Sequence, residues 1–160
     1  MPKKKIPERP RRNCEQVKTV AVNQVIEKVA HWNGSVRPDF DRLRSVLVAC
    51  FDDDTGVFAE KLHRRGWVIK KGLVDILNLI SVSAAYDLVV AEWVKFYQIT
   101  VPYDVGDMVA TTRCAKARIS AIRPATAELV LEIDGDRSVG HVIPVEVAVY
   151  IAGAVGGAVA

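Results

Sequence analysis

Lys116-Ala117-Arg118-Ile119-Ser120-Ala121-Ile122-Arg123 alternates polar and apolar side chains and ends at Pro124. Period-two alternation is the mark of a strand with one face buried. Similar short segments surround it. Val105–Val109 precedes it, and Glu128–Ile133 follows with a less regular alternation. Asp134-Gly135-Asp136 makes a turn, and Ser138–Val145 and Val147–Ile151 complete the run. Five short strands over about fifty residues, joined by tight turns, predict a small closed or nearly closed barrel over 103–152.

N-terminal to Pro102 the period is helical. Val22, Val25, Val29 and Trp32 recur at helix spacing within Glu15–Trp32, and Asn33-Gly34 is a helix stop. Asp39 is placed to cap a second helix, whose apolar stripe is Phe40, Leu43, Leu47, Cys50 and Phe51. Asp52-Asp53-Asp54-Thr55-Gly56 offers caps for a third, ending at Arg64-Arg65-Gly66 with Phe58 and Leu62 inward and Glu60 able to pair with Arg64. Leu73, Ile76, Leu77, Ile80 and Ala84 continue as helix. Ala85, Val89, Trp93 and Phe96 follow on a rotated face, with Ser81 and Ser83 marking a kink or break. The expected class is therefore α+β: a helical bundle over 14–100, compatible with a helix-turn-helix, then a five-stranded barrel.

The barrel half resembles a known fold family. Gly106-Asp107-x-Val109, the Lys116-Ala117-Arg118-Ile119 strand, the Asp134-Gly135 turn and Ile143-Pro144-Val145-Glu146 before a last strand look like an SH3-like barrel. That resemblance implies a 3-10 turn at Pro-Val-Glu before the closing strand. It covers the last third of the chain and carries no site residues, because the fold serves unrelated functions.

Charge is unevenly spread. The chain has 22 Lys+Arg against 19 Asp+Glu, net +3. Residues 1–12 carry Lys3, Lys4, Lys5, Arg9, Arg11 and Arg12 against Glu8, or +5, so the other residues sum to −2. With three prolines and Ile6 as its one aliphatic residue, 1–13 is expected to be a flexible basic arm. The small-residue tail 153–160 is expected to be flexible as well. No signal peptide or membrane span is expected: charges interrupt the chain after the basic start, and the longest uncharged run, Val147–Ala160, is shorter than the ~20 residues needed to cross a bilayer. Cys14, Cys50 and Cys114 are odd in number and far apart, which reads as reduced thiols in an intracellular protein, cytoplasmic or, in a eukaryote, nuclear.

Motifs for catalysis, cofactors or metals are missing from the sequence. Asp52, Asp53, Asp54 and Glu60 do not have calcium-loop spacing and read as a helix cap. His31, His63 and His141 stand apart from each other and from the cysteines, which argues against zinc. No nucleophile elbow or phosphate-binding glycine loop is present, so no enzyme, cofactor or metal is expected.

The basic clusters are more informative. Besides the arm, Lys61, His63, Arg64, Arg65, Lys70 and Lys71 bracket the turn between the third and fourth helices. Lys3, Lys4, Lys5, Arg9, Arg11, Arg12, Lys61, Arg64, Arg65, Lys70 and Lys71 are the candidate phosphate contacts to DNA or RNA. Base reading is thin, since Gly72–Ile80 offers only Asp75 and Asn78. The barrel holds seven acids against five bases over 103–152, which suits protein contact or self-association better than phosphate. The expected function is a nucleic-acid-associated regulatory or accessory protein with the barrel as a protein-contact or dimerisation module. The alternative is an adaptor, inhibitor or structural component without a nucleic-acid role, whose signature is an exposed apolar patch.

Overall fold

The computed structural model describes residues 8–34, 38–133 and 136–152. These form an α+β protein whose chain divides into two compact units, one ending at Val90 and the other beginning at Ala91.

The first unit is helical. α1 (Glu15–Asn23) and α2 (Ile26–Trp32) replace the single helix expected over Glu15–Trp32. The physical reason is a pairing invisible in local sequence. Gln24 Nε2 donates to the carbonyl of Ser81 at 3.0 Å while its Oε1 accepts from Ser81 N at 2.7 Å, and Val25 leaves helical geometry at φ −124°, ψ −4°. α3 (Phe40–Cys50) begins where Asp39 accepts from Arg42 N at 3.0 Å. α4 (Thr55–Arg64) begins where Asp54 accepts from Val57 N at 3.0 Å. α5 (Lys71–Leu77) and α6 (Val82–Tyr97) are separated at the serines, and Ser81 Oγ accepts from Ala84 N.

Within this unit α1 and α2 pack on α3, and α5 packs on α2 and α4. Their apolar stripes meet in one core that includes Val17, Val22, Val29, Leu47, Phe58, Leu62, Leu73 and Leu77. Each fully buried side chain of this kind stabilises the fold by about 1.5–3 kcal/mol relative to leaving it in water.

The carboxylate run divides its work. Asp54 caps α4, while Asp52 accepts from Asp54 N and from Lys61 Nζ at 2.8 Å. We expect Asp54→Ala to cost about 1 kcal/mol and Asp53→Ala, at an exposed position, to stay within about 0.5 kcal/mol. Urea unfolding of the two variants checks this, and equal losses would remove the cap from the account.

Within Lys71–Tyr97, which spans α5 and α6, an 18-residue window has a mean hydropathy of 1.7, so by length and composition alone this stretch is apolar enough to cross a membrane. Asp75, Asp87 and Glu92 hid it by interrupting every uncharged run. Leu73, Leu77, Ala85 and Val89 of this stretch belong to the buried helical core.

The second unit holds the C-terminal part of α6 and a five-stranded antiparallel sheet in the order β4-β3-β2-β1-β5. Its strands are β1 (Met108–Ala110), β2 (Ala117–Arg123), β3 (Glu128–Ile133), β4 (Asp136–Pro144) and β5 (Val149–Ala152). Val109, Ala117, Ile119, Leu129 and Leu131 are its buried core. The ladder is open, where a closed or nearly closed barrel is expected from the sequence, because β4 and β5 are its two edges and do not pair. β4 stays on β3 until Pro144, opposite Glu128. There the chain leaves the ladder through a 3-10 turn at Val145–Val147, so β4 never reaches β5.

The turn ahead of β1 shows why Gly106-Asp107 reads as structural. Asp107 Oδ2 accepts from Asp104 N at 2.9 Å, and Gly106 sits at φ +98°, where a side chain is strained. Gly106 N then donates to Ile119 O at 2.8 Å, tying the turn to β2.

Candidate nucleic-acid interface

The candidate basic residues have different fates. Lys3, Lys4 and Lys5 lie outside the described residues. Arg9 is half-buried. Arg11 pairs with Glu8 at 2.9 Å, and Arg12 donates to Ser83 Oγ at 2.7 Å. Lys61 pairs with Asp52 at 2.8 Å, and its hydrogen bond is the main reason the Asp52 carboxyl titrates below the usual carboxylate range. Arg64 pairs with Glu60 one helical turn away. Arg65, Lys70 and Lys71 are exposed and make no ion pair with a described residue.

The end of α4 fixes where Arg65 and Trp67 go. Arg65 N donates to Leu62 O, and Gly66 takes φ +87° while its N donates to His63 O at 2.8 Å. A glycine in left-handed geometry just past the last helical turn is the usual way to stop a helix. Trp67 N then turns back to Leu62 O at 3.1 Å, and Trp67 O lies 3.2 Å from His63 Nδ1. The chain next runs extended to Lys70 and enters α5. Gly72 abuts Trp32: a Cβ there would lie 3.2 Å from the indole nitrogen. This contact sets Lys70 and Lys71 beside the end of α2.

Arg65 and Trp67 line a cavity of about 660 Å³ together with Arg42, which the helical period alone puts on the solvent side of α3. Ala30, Leu43 and Val46 give it apolar surface. Arg42 is exposed and, like Arg65, has no ion-pair partner among the described residues. Asp39 also lines the cavity, with its carboxylate engaged by Arg42 N. Nothing in the spacing of Arg42 and Arg65 announces this meeting. It follows from how α3 packs on α2 and α4.

The helix-turn-helix geometry departs from expectation. Arg65 to Lys70 separate α4 from α5, against the three or four residues of such a turn, and α5 has only 7 residues with Leu73 and Leu77 buried. Among the described residues no group of three or more His, Cys, Asp or Glu is placed to hold a metal ion.

Exposed apolar side chains occur in both units. Leu88 and Phe96 on α6 are 58% and 73% exposed, and Val149, Tyr150 and Ile151 lie exposed along the edge strand β5. Compared with protein-family models, with curated proteins and with solved structures, the chain matches none.

Proposed function

We propose that the protein is a nucleic-acid-associated regulatory or accessory protein that contacts phosphates through Arg42, Arg65, Lys70 and Lys71. The observation that carries this reading is the set of cations without acids. Lys61, Arg64 and Arg11 are each balanced by a carboxylate, whereas Arg42 and Arg65 both line one cavity without an ion-pair partner among the described residues, with Lys70 ending the same connector and Lys71 opening α5. Such side chains exchange solvent counterions for phosphates at little desolvation cost, and the binding depends on salt rather than on sequence. The basic arm, Lys3, Lys4, Lys5, Arg9, Arg11 and Arg12, extends the reading as an accessory contact.

The test is fluorescence anisotropy with generic duplex and single-stranded oligonucleotides over a salt series. Replacing Arg65, Lys70 and Lys71 together by Gln is expected to lower the slope of log K against log salt by about 2–3, roughly 0.7–0.9 for each phosphate no longer neutralised. An unchanged slope removes the helix junction from the mechanism. Replacing the six arm residues by Ala measures the arm separately.

A second reading is favoured by the exposed apolar surface. Leu88, Phe96 and the uncharged edge segment Val149-Tyr150-Ile151 suit an assembly protein whose open sheet edge meets a partner or a second copy. The strand order and the 3-10 turn before β5 support treating the sheet as an opened SH3-like module in that role. Absence of oligonucleotide binding at low salt would put this reading first.

A further inference from the structure

We infer that the cavity between α3 and the α4–α5 connector is a binding site for a small organic monoanion with a flat apolar body and a carboxylate head. This goes beyond the nucleic-acid reading and does not depend on it, since the ligand would be held in an open pocket on the surface of the helical unit and not along a polymer backbone.

Volume argues for a body and not a bare ion. At about 660 Å³ the cavity lies within the range of small-molecule sites, and about 150 Å³ already accommodates a benzene ring. The surface argues for what that body is. Leu43, Val46 and Ala30 supply apolar contact, and the half-buried Trp67 offers an aromatic ring against which a flat group can stack. The Trp67 backbone is fixed at both its N and its O, so little ordering remains for a ligand to supply.

Charge identifies the head group. Arg42 and Arg65 come from different elements and both line the cavity, and a planar guanidinium group suits a planar carboxylate. Asp39 is the opposing charge. Its carboxylate caps α3 through Arg42 N, so it stays in the wall, and among the described residues the three ionic side chains of the lining sum to +1. One net positive charge matches a monoanion. A phosphate monoester dianion brings a second negative charge toward Asp39 and is disfavoured.

The experiment is titration calorimetry on the full chain, without nucleic acid, using 2-naphthylacetate, its uncharged amide, 2-naphthyl phosphate and acetate. We expect saturable one-to-one binding of 2-naphthylacetate, with the amide at least about tenfold weaker and acetate showing no saturable binding. Arg42→Gln and Arg65→Gln should each weaken 2-naphthylacetate by about tenfold or more, and Arg65→Lys should recover only part of the loss. Both arginines are exposed, so their variants should keep the parent thermal transition, which is measured alongside. Equal binding of acid and amide, or full affinity in Arg65→Gln, overturns the site. Tighter binding of the phosphate overturns the monoanion assignment. Because no oligonucleotide is present, loss of this site is distinguishable from loss of the salt-dependent binding proposed above.

Discussion

Phe58→Ala is expected to destabilise the helical unit by about 3–5 kcal/mol. Phe58 is 1% exposed in the middle of α4, and its ring meets that of Phe51 edge-on with centroids 5.6 Å apart. Truncation to Ala removes the transfer free energy of the ring, abolishes the edge-on aromatic pair, and leaves a cavity that the packed core closes only in part. Leu47 and Leu62, both fully buried in the same core, are set by their own helices and cannot collapse far into the gap. Val57 is the neighbouring control. It is 39% exposed on the other side of α4, so Val57→Ala should stay within about 0.5 kcal/mol. Denaturant unfolding followed by helical circular dichroism measures both. A loss under about 1 kcal/mol for Phe58→Ala would mean that α4 buries a different face.

The buried face of α4 is legible in its sequence because cap and stripe agree. Asp54 precedes Thr55, Phe58 and Leu62 repeat at helical spacing, and Gly66 ends the run. α3 is equally legible from Asp39 and Leu43, Leu47 and Cys50. These are local signals, and local physics is sufficient to produce them. Features that the sequence hides depend on residues far apart in it. The break between α1 and α2 is held by Gln24 on Ser81, so an uninterrupted Val22, Val25, Val29 pattern still looks like one helix.

The open sheet is hidden for a related reason. Alternation marks strands but not which edge strands meet, and closure fails where β4 leaves the ladder at Pro144. For the site, Arg65, Lys70 and Lys71 stand out as a run, but Arg42 and Trp67 do not. A lone arginine on the polar side of a stripe carries no mark of a cavity, and a tryptophan just past a helix-ending glycine carries none either. The partners of Lys61 and Arg64 differ in the same way. Glu60 lies at helical spacing from Arg64, whereas Asp52 reaches Lys61 only because the chain turns into α4 between them.

Ile119→Ala tests the sheet as Phe58→Ala tests the helices, and the expected consequence is larger relative to what is there to lose. Ile119 is fully buried at the centre of β2, opposite Leu131 on β3, in a core whose other buried members are Val109, Ala117, Leu129 and Leu131. Removing it should cost about 2–5 kcal/mol. A unit of roughly seventy residues has about 3.5–10.5 kcal/mol of stability in total, at about 0.05–0.15 kcal/mol per residue, so this loss takes a large share of the whole. The backbone of Ile119 adds weight to the site: its N donates to Asp107 O at 2.9 Å and its O accepts from Gly106 N at 2.8 Å. Those bonds survive substitution in principle, but they hold the turn before β1 against a strand that no longer packs. Amide hydrogen exchange in β1, β2 and β3 is therefore expected to accelerate by about 1.5 to 3.5 orders of magnitude at the cited loss. Arg118→Ala, on the exposed face one residue earlier, should leave exchange nearly unchanged. Equal acceleration in the two variants would show that β2 has no buried face, and the alternation of Lys116–Arg123 would lose its meaning.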